Sequence, residues 1–273
     1  MKKLFTGVCT ALVTPFMNGE VDFQSLGRLI ERQIEGGVCA LLILGTTGEA
    51  ASLTESEREA VIRFTLEIVA GRLPVIVGVS GNNLDKVLGM VREAKRLGAD
   101  AVLVTAPYYI RGTQDGIIQW FSQIGRIGVP IIVYNIPGRT GVNIEPSTLA
   151  TICKVKSIIG IKESSGNLEQ IAQVLKRVRI PVYAGDDALS LPSYALGALG
   201  VVSVASNARP SEVSSLWNAH KAGSSKRAAK LYLEQLDFYN SLFTTVNPVP
   251  IKKVLSDLGH CQNEVRLPLT SLI

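Results

Sequence analysis

Histidine is nearly absent from this chain, and cysteine is never clustered. Its 273 residues hold two histidines, His220 and His260, and four cysteines, Cys9, Cys39, Cys153 and Cys261, with no C-x-x-C pair. A zinc site has too little to be built from, and reduced, largely buried thiols are expected. Charged residues make up only 19% of the chain against 47% hydrophobic ones, which excludes extended disorder and allows a sizeable core. No apolar run approaches the length of a membrane span. Lys2 and Lys3 precede an apolar stretch, Leu4 to Phe16, but Thr6, Thr10, Thr14 and Pro15 interrupt it. It lacks a small-residue cleavage pattern and reads as a first strand rather than a signal peptide. A cytoplasmic, soluble protein is the expectation.

The net charge of +5 is mild, and lysine and arginine are scattered. One cluster, Lys221, Lys226, Arg227 and Lys230, is interleaved with small residues rather than aromatics. It reads as a solvated helix face, not a nucleic-acid patch.

What is present in quantity is short apolar runs alternating with helical patterns. Eight runs read as strands: residues 7–13, 39–44, 74–79, 101–105, 130–134, 157–161, 181–184 and 200–204. Most are continuously hydrophobic, the signature of strands buried on both faces in a parallel sheet. Helices are predicted between them: after Asp22, from the capping box Thr54-x-x-Glu57, after Asn83, and at Glu145-Pro146. This alternation predicts a TIM (β/α)8 barrel rather than an open doubly wound sheet, and no G-x-G-x-x-G follows the first strand. Beyond Ser211 the pattern is helical only, so the barrel is expected over residues 1–222 and a C-terminal helical extension over 223–273.

A barrel of this kind carries its active site at the carboxyl ends of the strands, and polar residues collect there. Lys162 ends the run Ile158-Ile159-Gly160-Ile161. Desolvation at such a position disfavours the ammonium and frees the neutral amine to attack a carbonyl. With a 2-oxo acid it would form an imine, whose iminium nitrogen acidifies the adjacent methyl. A strand-end lysine can also reach solvent, and position alone leaves both readings open. Gly45-Thr46-Thr47-Gly48 supplies a tight loop whose N–H groups and hydroxyls suit a carboxylate, though it also fits an ordinary β–α turn. Tyr134 could relay protons with Thr47 or simply pack. Arg139, in a Pro-Gly turn, could grip a second carboxylate or lie on the surface.

Several segments together resemble the dihydrodipicolinate synthase family: Thr10-Ala11-Leu12-Val13-Thr14-Pro15-Phe16, GTTGE (45–49), APYY (106–109), YNIPGRTG (134–141) and GIKESSG (160–166). Asn247-Pro248-x-Pro250-x-Lys252 and Arg266-Leu267-Pro268-Leu269 also fit, so the likeness spans the chain. It implies that Lys162 is a Schiff-base lysine, that Thr46 and Thr47 hold the carboxylate of pyruvate, and that Thr47, Tyr134 and Tyr109 relay protons. Tyr109 would be supplied across a dimer interface. Arg139 would bind the carboxylate of L-aspartate 4-semialdehyde, and Gly185 and Val202 would lie near bound pyruvate. The implied reaction joins the two substrates through an enamine on Lys162 and then closes a ring. It implies no metal, no organic cofactor, and a homodimer or homotetramer.

The chain departs from the family pattern at the regulatory cleft. Asn82 and Tyr108 fit the lysine-binding positions, but Lys86 stands where lysine-inhibited members commonly carry glutamate, and Glu55 and Arg58 replace residues that are often histidine. Weak or absent lysine feedback is expected, because a cation repels a cationic ligand. Two other functions remain open on the sequence: a related pyruvate-dependent enzyme, such as N-acetylneuraminate lyase or a ketodeoxy-sugar-acid aldolase, and a non-catalytic 2-oxo acid binder.

Overall fold

A computed structural model describes residues 3–272. Eight parallel strands close into a barrel in sequence order: β1 (Gly7–Ala11), β2 (Ala40–Ile43), β3 (Val75–Val79), β4 (Ala101–Thr105), β5 (Ile131–Asn135), β6 (Ile158–Glu163), β7 (Val182–Ala184) and β8 (Gly200–Ser203), with β8 pairing back onto β1. All eight predicted runs are strands. The helices after each strand form the outer ring: α1 (Phe23–Glu35), α2 (Glu55–Val69), α3 (Leu84–Leu97), α4 (Gln114–Gly125), α5 (Pro146–Ile152), α6 (Leu168–Arg177), α7 (Ser190–Ala195) and α8 (Pro210–Lys221). The chain then continues into α9 (Ser225–Ser241) and α10 (Val249–Asp257).

The helix starts follow local chemistry. Asp22 accepts the Ser25 N–H, Thr54 and Glu57 form the reciprocal capping box, Asn83 caps α3, and Pro146 opens α5. The basic cluster around Lys226 is exposed, and Lys230 faces Glu234 one turn away on α9. Among the described residues, no helix is long and apolar enough to cross a membrane.

Alternate residues of the strands divide between two cores, as the two-residue period of a strand requires. Cys9, Ala11, Ala40, Leu42, Ile76, Leu103, Ile132, Tyr134, Tyr183 and Val202 point inward and fill the barrel. The other set, with Val8, Leu41, Ile43, Val77 and Val104 among it, packs beneath the helices. Each such Val or Leu contributes about 1.5–3 kcal/mol on leaving water. Phe5 stacks on Tyr183 with ring centroids 4.1 Å apart and accepts the phenol O–H on its carbonyl, closing the amino end of the barrel.

Two details depart from the expectation. Phe16–Met17 and Glu20–Val21 form a small antiparallel pair just after the predicted first strand, turning at Asn18-Gly19. Strand β6 also runs two residues further than its apolar run, so Lys162 and Glu163 belong to the ladder rather than to the loop beyond it. A register shift between Ile131 and Ile132 aligns Tyr134 with Lys162 and Asn135 with Glu163. That shift decides which face Lys162 takes, because a slip of one residue would turn it out of the barrel.

Candidate active site

Lys162 pairs in register with Tyr134 on β5 and Tyr183 on β7, so its side chain shares their inward face. It is 5% exposed, and its Nζ lies 4.1 Å from the centre of the Tyr134 ring. Among the described residues, no carboxylate lies within ion-pair distance of this amine. A cavity of about 50 Å³ surrounds it at the carboxyl end of the barrel, lined by Thr46, Thr47, Tyr134, Arg139, Gly185 and Asp186 among others. It adjoins a larger cleft of about 320 Å³, with Gly45, Thr46, Ile136, Arg139 and Asn247 common to both walls.

The residues singled out in the sequence largely converge here. Thr47 is buried and its Oγ1 accepts the Asn247 Nδ2–H at 3.0 Å, while Thr46 next to it is exposed towards the cavity mouth. Arg139 sits in the one-turn helix Pro137–Thr140 and donates from Nη2 to the Asn247 carbonyl at 3.1 Å. Gly185 forms part of the wall because nothing larger fits: a Cβ there would stand 1.7 Å from Ser164 Oγ. Val202 packs in the barrel interior, and Val204 two residues on reaches the cavity. Tyr109 is not brought to the site. It is 88% exposed on left-handed backbone (φ +73°), between exposed Tyr108 and Ile110. Asn82 and Lys86 are exposed at the start of α3, whereas Arg58 is buried, which pushes its guanidinium pKa down against the pull of Glu93 and Glu55.

Three buried carboxyl groups not singled out in the sequence sit near this end of the barrel; Lys162 acts electrostatically on Asp186 and Asp187, while Glu163 faces outward to Asn135 and Gln170. Burial raises the pKa of Glu163, opposed by hydrogen bonds from Asn135, Ser165 and Gln170. Burial likewise raises Asp187, opposed by the N–H groups of Val204 and Ala205 at 2.9 and 3.0 Å. Asp186 lines the cavity itself; burial pushes it up to about 6, Lys162 pulls it down, and Asp187 and Glu163 push it further up. The pair Asp186-Asp187 just past an apolar strand was the available signal. Asn247 signals itself less, since its contact with Thr47 spans 200 residues of chain.

The raised pKa of Asp186 has a stability consequence. The folded chain binds this proton more tightly than the unfolded one, so stability falls as pH rises from the ordinary value of 3.8 to about 6, and the cost is fully present above that. Asp186→Asn should therefore stabilise the fold by about 1–2 kcal/mol at pH 8 and lose that advantage near pH 4. Thermal melts at both pH values check this; an equal shift at each would show that the buried charge is not the cause.

A closed β/α barrel with its polar groups gathered at the strand carboxyl ends defines the class as a TIM-barrel protein with its site at the usual face. Within that class, the chain belongs to the dihydrodipicolinate synthetase family, whose family model matches residues 4–273. It is 45% identical over 272 residues to the 4-hydroxy-tetrahydrodipicolinate synthase of Alkaliphilus oremlandii, covering 98% of this chain and 94% of that protein. The crystal structure of dihydrodipicolinate synthase from Thermotoga maritima superposes with a TM-score of 0.98 at 40% identity, covering 99% of this chain and 94% of that one. A structure described as the first monomeric dihydrodipicolinate synthase variant also superposes at 0.98, with 40% identity and coverage of 99% and 92%.

Proposed function

We propose that this chain condenses pyruvate with L-aspartate 4-semialdehyde to give 4-hydroxy-tetrahydrodipicolinate. The observation that carries this reading is an amine without an ion-pair partner among the described residues, buried beside Tyr134 in a chain whose family model matches residues 4–273. Lys162 adds to the pyruvate carbonyl, and loss of water gives the iminium. The iminium withdraws electrons from the methyl group, which loses a proton to become the nucleophilic carbon of an enamine. That carbon attacks the aldehyde. The amino group of the second substrate then displaces Lys162 from the imine carbon as the ring closes. Asp186 supports this sequence by keeping negative charge near a nitrogen that is positively charged in the protonated imine.

Thr46 and Thr47 take the pyruvate carboxylate, Gly185 leaves room beside it, and Arg139 receives the carboxylate of the second substrate at the mouth. Thr47 and Tyr134 move protons during carbinolamine formation and dehydration. Tyr109 serves the site of a neighbouring copy in a dimer or a dimer of dimers. Its exposure supports this, as does the buried Thr105 hydroxyl in the adjoining cleft, which has no hydrogen-bond partner among the described residues. The four free cysteines accord with a reducing, cytoplasmic setting.

The direct test is borohydride reduction in the presence of pyruvate, followed by mass spectrometry and a turnover assay with each candidate partner. An adduct on Lys162 with turnover of L-aspartate 4-semialdehyde is expected. Turnover of N-acetylneuraminate instead would reassign the second substrate, and no adduct would leave only a 2-oxo acid binder. Lys86, exposed on the first turn of α3 beside Asn82, puts a cation where an inhibitory lysine would need an anion. Steady-state rates are expected to be unchanged in low-millimolar lysine, and half-maximal inhibition there would refute that reading.

A further inference from the structure

The loop bearing Thr46 and Thr47 is held between two residues in left-handed backbone, Leu44 at φ +54° and Glu49 at φ +50°. Side-chain-bearing residues adopt that conformation at a cost, and it persists only where the surroundings enforce it. At Leu44 the enforcement is steric room: Gly78 lets the chain pass so close that a Cβ would come within 2.2 Å of the Leu44 carbonyl. At Glu49 the enforcement is electrostatic, and it comes from the far end of the chain.

The Glu49 carboxylate is sealed from solvent and forms an ion pair with Lys252 of α10, whose side chain is completely buried. Lys252 Nζ also donates to the Glu264 carbonyl at 2.9 Å and lies 4.0 Å over the Phe16 ring. The second Glu49 oxygen accepts the Arg266 N–H at 3.1 Å. The Arg266 guanidinium covers the same Phe16 ring at 4.4 Å and pairs with Glu57. Burying two opposite charges is at best weakly stabilising and often less favourable than apolar packing. A pair kept at such a site is better explained by what it specifies, which here is the conformation of the carboxylate loop.

We propose that Lys252 is a positioning residue for the first substrate: by holding Glu49 it fixes the loop whose Thr46 and Thr47 receive the pyruvate carboxylate. This rests on the pyruvate reading above. Thr47 keeps its own hydrogen bond from Asn247, so the effect falls on carboxylate binding more than on proton transfer.

Two variants separate positioning from stability. Lys252→Met leaves the buried Glu49 carboxylate without its cation, held by the Arg266 N–H, and is expected to melt well below the wild type. Glu49→Gln/Lys252→Met removes both charges, keeps the shapes of both side chains, and is expected to recover most of the melting temperature. In that double variant the KM for pyruvate is expected to stay raised about tenfold, with kcat within about threefold of wild type. Borohydride trapping at saturating pyruvate should still go to completion. A KM that returns to the wild-type value together with the melting temperature would overturn the proposal, leaving the pair a purely structural one. Absence of trapping in the wild-type protein would instead strike down the pyruvate chemistry, and this inference with it.

Discussion

Lys162→Ala is expected to abolish borohydride trapping of pyruvate and to lower kcat by at least about 10,000-fold. The size follows from the loss of the covalent route itself, since no neighbouring group can supply the electron sink. Among the described residues two lysine amines are deeply buried, and their surroundings separate them. Lys252 is already engaged by the Glu49 carboxylate, the Glu264 carbonyl and the Phe16 ring. Lys162 lies over the face of Tyr134 beside an open cavity, and among the described residues no carboxylate is within ion-pair distance of it. A nucleophile needs a free lone pair and room for its electrophile, so trapping should be confined to Lys162. The alanine variant should stay folded, because Glu163 and Asp187 keep their hydrogen bonds to Asn135 and to the Val204 and Ala205 N–H groups. Asp186 would lose the cation that pulls its pKa down and hold its proton to higher pH still. Circular dichroism confirms the fold, and mass spectrometry after reduction reads the adduct. An adduct of undiminished yield in Lys162→Ala, on Lys252 or elsewhere, would remove the assignment.

The barrel was legible because its evidence is local. A strand buried on both faces must be apolar at every position, and runs such as Ala101–Thr105 say so without help from the rest of the chain. The same rule misplaces the end of β6. Lys162 and Glu163 look like the end of a strand because they are charged, yet the ladder to Tyr134 and Asn135 continues through them. At the carboxyl end of a barrel, inward positions face the site rather than the core, and polarity there marks function instead of termination.

Tertiary pairings were less legible. Nothing near Thr47 foretells that Asn247 will hold its hydroxyl, and nothing near Glu49 foretells Lys252. Both contacts depend on how α10 folds back over the barrel mouth, which no local pattern encodes. Asp186 stood next to a recognised strand end, but its relevance depends on burial and on three charged neighbours, two of them adjacent only in space or across the strand ladder. Tyr109 is the reverse case. The sequence resemblance gives it a role, and the single chain leaves it in solvent.

Tyr134→Phe isolates the proton-transfer contribution from the packing contribution at the same position. The ring is 6% exposed, held in register between Thr105 and Lys162, and carries the amine over its face. Phenylalanine preserves all of that and removes one hydroxyl. If Tyr134 only packs, kcat should change by less than about threefold, as for a volume-conserving core substitution. If it shuttles protons, kcat should fall by about 100- to 1,000-fold with little change in the KM for pyruvate. The second outcome is expected. The phenol sits on the same inward face as the amine, and Thr47, whose Oγ1 already accepts from Asn247, has its single hydrogen left to donate into the cavity. Trapping experiments sharpen the distinction. The variant should reach the full adduct, because Lys162 is intact, but at a rate slowed as much as kcat. A variant that trapped pyruvate as fast as wild type yet turned over slowly would move the role of Tyr134 to a step after imine formation. Undiminished turnover would return it to the core.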